Sequence, residues 1–264
     1  MKQALFLPPF DELADPNVLV EIAVAAEAAG WDGLFLWDHV NRPEVRPVAD
    51  PWIALAAVAA ATDQIRIGTM VTPLTRRRPQ VLARQTVTLD VLSGGRLTLG
   101  VGLGVDTGRE LSAFGEVVDP VTRGERLDEA LDVLCGLWAG AAVSHQGEHF
   151  VADDVTFVPG PVQQPRIPIW CAARTLARRP LRRAARFDGL FPIELGPDEI
   201  ADVVGFIERE RGSLDGFDVA TWAMLGADVD AYRRAGVTWW LESILPGEPV
   251  DDVMQIASHP PRSD

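Results

Sequence analysis

The sequence predicts an α/β fold of the TIM (β/α)8 barrel type, in which eight parallel strands close on themselves and each is followed by a helix. Three observations carry this expectation. Strand-like and helix-like runs alternate eight times along 264 residues, a length that suits one barrel of about 250 residues. The run from Gly33 to Trp37 has no polar residue, as expected for a strand covered by helices on a parallel sheet. No linker or low-complexity stretch divides the chain, so residues 1–264 are read as a single domain.

The strands are expected at residues 3–7, 33–37, 65–71, 97–103, 167–172, 189–193, 219–225 and 237–242. The helices are expected at 17–29, 52–61, 79–92, 126–138, 176–187, 197–211, 228–235 and 250–257. Local chemistry marks several boundaries. Asp15-Pro16 and Asp50-Pro51 each put a capping carboxylate before a proline suited to a first helical turn. Gly30, Gly94-Gly95, Gly140 and Gly236 follow helical runs, where a left-handed residue is often required. Two insertions break the rhythm, one after the fourth strand at 105–123 and one before the fifth at 141–166. The second, with VSHQGEHF and DDVTFVP, reads as an appended hairpin. Helix 52–61, WIALAAVAAA, is apolar around its whole circumference; either its outer face is covered in a homodimer built through this helix and its neighbour, which is the preferred reading, or its alanines tolerate exposure.

Composition narrows the partners. A net charge of -14 disfavours nucleic acid and anionic membrane surfaces and leaves a small molecule as the expected ligand. The apolar run at the start is too short for a signal sequence, and no segment reaches the ~20 apolar residues of a membrane span, so a cytoplasmic protein is expected. Cys135 and Cys171, in a helix and a strand, suit reduced buried thiols.

The stretch GWDGLFLWDH, residues 30–39, is the most informative. Its buried strand ends at Asp38-His39, the carboxyl edge where parallel α/β folds display reactive groups. Of four histidines only His39 stands at a strand end, placed to act as a general acid or hydrogen-bond donor with Asp38 orienting it. A metal is not expected, because no second ligand stands at suitable spacing. The run LTLGVGLGVDTG does not fit the dinucleotide fingerprint; Gly100, Gly102 and Gly104 either admit a flat ligand or relieve crowding inside the barrel. Arg76-Arg77-Arg78 before the helix at Pro79, and Ala172-Ala173-Arg174-Thr175 after the fifth strand, are candidate anion contacts.

Four segments taken in order, GWDGLFLWDHV, IRIGTMVTPLTRRRPQVLARQTVTLDVLSGGRLTLGVGLG, RGERLDEALDVLCGLWAG and VQQPRIPIWCAA followed by LRRAARFDGLFP, resemble the bacterial luciferase-like monooxygenase family of flavin- and coenzyme F420-dependent enzymes. The resemblance implies an oxidoreductase with FMN or coenzyme F420 lying across the carboxyl ends of the strands, acting on a small organic substrate by hydride transfer or oxygen activation. It implies a non-proline cis peptide at Met70-Val71 supporting the ring, with Thr72 following. It places Asp38 and His39 near the reactive part of the ring, Gly102, Gly104 and Asp106 at the fourth-strand exit, and Ala172, Ala173, Arg174 and Thr175 at the cofactor phosphate. Val105 stands where some deazaflavin-dependent relatives carry an acid, which keeps a non-catalytic flavin-binding protein as the alternative.

Overall fold

The computed structural model describes residues 1–222 and 227–261. Eight strands form a closed barrel in the order β1 (Lys2–Leu7), β2 (Gly33–Leu36), β3 (Arg66–Pro73), β4 (Leu97–Gly102), β7 (Ile169–Ala173), β8 (Gly189–Pro192), β9 (Asp218–Thr221) and β10 (Trp239–Ser243), which pairs back to β1. Each pairing is parallel. The helices are α1 (Pro16–Ala29), α2 (Pro51–Ala61), α3 (Pro79–Leu92), α4 (Pro120–Trp138), α5 (Arg178–Ala185), α6 (Pro197–Arg211), α7 (Val229–Arg234) and α8 (Val250–Ser258). Strands β5 (Ala142–Gln146) and β6 (Val151–Thr156) form the expected antiparallel hairpin.

Two apolar layers hold the barrel. Outward residues of the strands, such as Leu34, Leu36, Leu99 and Val101, pack with the helices into one large core. Inward residues fill the lumen, with Phe35, Trp170 and Trp239 stacked at ring separations of 5.4 to 6.0 Å. Period-two alternation sorts the side chains. On β2 and its exit, Leu34 and Leu36 face the helices, whereas Phe35 and Trp37 face the lumen.

Several boundaries differ from expectation. Helix α4 begins at Pro120 instead of 126, because Asp119 caps it by accepting the Thr122 amide at 2.7 Å. Strand β3 runs to Pro73 through a register shift between Thr69 and Thr72, at the Met70-Val71 cis peptide. Strand β9 ends at Thr221, and residues 223–225 of the expected strand lie outside the described residues. Helix α2 buries Trp52, Leu55 and Val58 and leaves Ile53 67% exposed, so its uncharged outer strip is bare in a single chain. Cys171 is buried and its thiol is pushed up to about 12 by burial; both cysteines are free.

The hairpin is held by one carboxylate. Glu129 of α4 accepts the His149 amide at 3.0 Å, the Phe150 amide at 2.7 Å and His145 Nε2 at 3.0 Å. Burial alone would raise its pKa, but these three donors outweigh burial and lower it. A carboxylate lowered in the folded state stabilises above its ordinary value and loses that contribution as pH falls through the lowered one. Amide-exchange protection at His149 and Phe150 is therefore expected to hold at neutral pH and to decline below about pH 4.3. In Glu129→Gln, protection at neutral pH should already be reduced and the acid-dependent decline lost. Equal protection profiles in the two proteins would overturn the clamp.

Candidate active site

His39 stands at the carboxyl rim, just beyond β2, and its imidazole is held from outside the lumen. Nδ1 makes a short hydrogen bond to Glu110 Oε1. Glu110, 2% exposed, also accepts the Val40 amide at 3.1 Å and Arg76 at 3.1 Å through Oε2. A carboxylate accepts, so the ring proton sits on Nδ1 and Nε2 is left for a ligand. Nε2 has no hydrogen bond among the described residues. Phe10 and Trp37 flank the ring at centroid distances of 5.8 and 5.9 Å.

Asp38 does something else than orient His39. Alternation turns its carboxylate to the outer side, where it is 3% exposed. There it accepts Arg76 at 2.8 Å, Arg77 at 2.9 Å, Thr72 Oγ1 at 2.9 Å and Trp52 Nε1 at 3.4 Å. The Asp38 carbonyl accepts Arg76 as well, at 2.8 Å. Two buried carboxylates thus face two arginines, and Arg76 bridges the pair, with its side chain 7% exposed. The orienting carboxylate expected of Asp38 is Glu110, and Arg76 and Arg77 are not free to bind an anion. Thr72 is fully buried and hydrogen-bonds Thr69 as well as Asp38, so it supports the rim from behind.

Along the strands that follow β2, β3 to β7, lies a shelf of small side chains. A Cβ on Gly100 would come within 2.2 Å of the Thr69 carbonyl oxygen, and one on Gly102 within 2.7 Å of Val71 and 3.4 Å of Ala172. Gly100 therefore accommodates the β3 irregularity, whereas Gly102 keeps the surface between Val71 and Ala172 low and flat. Relief of crowding is thus seen at Gly100. Gly104, at φ +72, turns the chain against Pro73. The shelf, backed by buried Met70, fits a planar ring.

The remaining expected residues are more peripheral. Asp106 accepts the Leu111 and Ser112 amides at 2.8 and 3.0 Å, and these bonds, led by one from the Ser112 hydroxyl, lower its pKa. It closes its own loop, and the loop carries Glu110. Arg174 pairs with Glu194 at 2.6 Å on the surface, and Thr175 accepts the Ala177 amide at 3.3 Å. Arg78, Arg109 and Arg178 are exposed and have no ionic partner among the described residues. At the opposite, amino-terminal rim, two open depressions of about 320 and 480 Å3 share Lys2 and Asp32. The larger borders Asp218, whose pKa is raised by burial. That end of a parallel barrel serves stability, while chemistry belongs to the carboxyl end.

The family model of luciferase-like monooxygenases matches residues 3–236. The chain belongs to this family. An F420-dependent glucose-6-phosphate dehydrogenase from Microbacterium testaceum is 37% identical over 164 residues, which cover 60% of this chain and 47% of that protein. The chain thus spans about half the length of such curated relatives. An uncharacterised protein of Mycobacterium tuberculosis is 28% identical over 245 residues, 85% of this chain and 83% of that one. Among solved structures, an F420-dependent secondary alcohol dehydrogenase holding an F420-acetone adduct superimposes with a TM-score of 0.81 at 18% identity, covering 97% of both chains. The tetrahydromethanopterin reductase of Methanopyrus kandleri does so with the same score and coverage at 17% identity. These superpositions establish the shared fold.

Sequence reasoning missed Glu110. The available signal was an acid shortly after the glycine run, but attention to position 105 passed over a residue that reaches His39 only because the loop folds back.

Removing Asp38 leaves two buried guanidinium groups short of a counter-charge. Asp38→Leu is expected to lower stability by about 3 to 5 kcal/mol, read as a drop in the urea midpoint. His39→Ala, at the partly open rim, should cost less than half as much. Equal losses would show that the two residues do not play these separate parts.

Proposed function

We propose that this protein is a coenzyme F420-dependent oxidoreductase that moves a hydride between the cofactor and an alcohol or carbonyl carbon. The observation that carries the reading is the His39 imidazole, oriented by buried Glu110, at the rim beside a flat shelf. Relatives and structural neighbours described as F420-dependent favour the deazaflavin over FMN. The same reading takes residues 1–264 as one domain.

When bound, the cofactor accepts or returns two electrons as hydride. Met70, Val71, Gly102 and Ala172 would hold its ring, and Gly104 would shape the exit loop beside it. The tail, which is anionic, is met by Arg78, Arg109 and Arg178 in place of Arg76 and Arg77, with Ala173, Arg174 and Thr175 at the phosphate. In the oxidising direction the carbinol C–H bond breaks with its electron pair, the hydroxyl proton passes to His39 Nε2, and C=O forms. Glu110 keeps the imidazole facing the substrate and compensates the charge that this proton brings. Arg76 and Asp38 fix Glu110 in turn. Phe10 and Trp37 exclude water from the reacting atoms.

Glu110 removes the ground for a non-catalytic barrel, because the acid partner absent at Val105 is supplied five residues on. The protein acts as a homodimer in the cytoplasm on a small molecule, without nucleic acid or membrane partners. The bare apolar strip of α2 and the charge of -14 support this. Among the described residues no helix is long and apolar enough to cross a membrane.

Titration with F420, followed by fluorescence, should show saturable binding tighter than that of FMN. His39→Ala should bind F420 within about threefold of the parent, while turnover falls by about 100-fold, the scale of a lost acid–base group. Unchanged turnover in His39→Ala, or tighter binding of FMN, would refute this assignment.

A further inference from the structure

We infer, resting on the oxidoreductase reading above, that the substrate is an uncharged alcohol or ketone with an apolar body, and that phosphorylated sugars are rejected. The shelf for the ring takes the β3, β4 and β7 side of the rim. A substrate meets the rest, and period-two alternation identifies which side chains face it. Phe6, Trp37, Ile193 and Trp222 pack on the interior aromatic cluster from β1, β2, β8 and β9. All four are apolar, and two are indoles. Among the described residues the polar groups at this wall are His39, the buried and unpartnered Trp37 indole N–H, and Ser243, the last at the end of β10 and in register with Phe6. Ser243 Oγ is sealed from solvent and has no hydrogen-bond partner among the described residues. The wall thus offers the His39 imidazole, one hydroxyl and the Trp37 N–H, uncharged groups that suit a single oxygen function.

Charge leads to the same substrate. A phosphate needs fixed cations to replace its water, and a hydrophobic wall without them makes burial prohibitive. Arg76 and Arg77 are neutralised by Asp38 and Glu110. Arg123 is spent on the Leu103 and Gly104 carbonyls at 3.3 and 3.0 Å. Arg42 lies over the Phe10 ring at 5.2 Å, and Arg46 pairs with Asp11 at 3.4 Å. Arg78, Arg109 and Arg178 have no ionic partner among the described residues, are exposed and do not belong to the interior cluster. Ile193 and Trp222 are the specificity-determining residues of this wall.

The test uses the full chain loaded with F420, its binding first established by fluorescence titration. Cyclohexanol, 1-phenylethanol and 2-octanol are then compared with glucose 6-phosphate by following cofactor reduction. At least one apolar alcohol is expected to exceed the sugar phosphate at least tenfold in kcat/KM. Ile193→Arg should lower kcat/KM for that alcohol by tenfold or more while F420 affinity stays within threefold of the parent, which also reports that the variant is folded. Should Ile193→Arg lose F420 binding, Trp222→Ala replaces it with the same expected outcome. Failure of the parent to bind F420 would sink the cofactor reading, and this proposal with it. Binding of F420 with glucose 6-phosphate preferred, with neither class oxidised, or with the wall variants indifferent would overturn the substrate class and leave the cofactor reading standing.

Discussion

The ionic bridge made by Arg76 organises the rim. One guanidinium joins the Asp38 carboxylate and carbonyl at the exit of β2 to the Glu110 carboxylate in the loop after β4. It therefore ties three consecutive barrel strands together at the end where their loops diverge. Buried pairs of this kind give little net stability against an apolar alternative, since desolvation consumes most of the attraction. What they supply is placement, because each oxygen and each N–H has a fixed partner. A His39 with both sides free would sample several rotamers. Held at Nδ1 by Glu110, it presents Nε2 in one direction.

The lumen above the packed aromatic core is divided by side-chain size. Glycine and alanine on β4 and β7 keep one wall low, and indoles and Phe6 raise the other. A planar ring and a small substrate need this arrangement, a flat face for stacking and a second wall to press the reacting carbon against it. His39 lies on the high wall, and the ionic network of Asp38, Arg76 and Arg77 sits behind that wall. Water exclusion and orientation thus come from different layers of one strand: Trp37 and the flanked His39 inside, Asp38 outside.

Elsewhere the chain uses carboxylates as local clamps. Glu129 fixes the hairpin, and Glu27 accepts the amides of Asp63, Gln64 and Ile65 at 2.6 to 3.1 Å to hold the turn into β3. Burial would raise the Glu27 pKa, but the backbone donors lower it overall. Helices α4 and α5 are likewise joined by arginines, Arg183 reaching Asp128 at 2.5 Å and Arg179 reaching the same carboxylate at 3.1 Å. A good part of the acidic excess is thus occupied in structure, close to home, and the basic segment at 174–186 reads as a partner for it.

By itself the sequence determined the barrel, the order of its strands, the hairpin and the place of His39. These follow from short-range physics: apolar runs of strand length, Asp-Pro helix starts, glycine stops, and the rule that parallel strands display chemistry at their carboxyl ends. The cis peptide at Met70-Val71 was legible through resemblance alone. Only the tertiary structure decided who partners whom. Asp38 is adjacent to His39 in sequence, yet alternation sends the two side chains to opposite faces of the strand, so the neighbour cannot orient it. Glu110 lies 71 positions from His39 and reaches it because the β4 loop folds back over the rim. The three arginines look alike in the chain. Burial against two carboxylates separates Arg76 and Arg77 from exposed Arg78, and no local pattern encodes that difference.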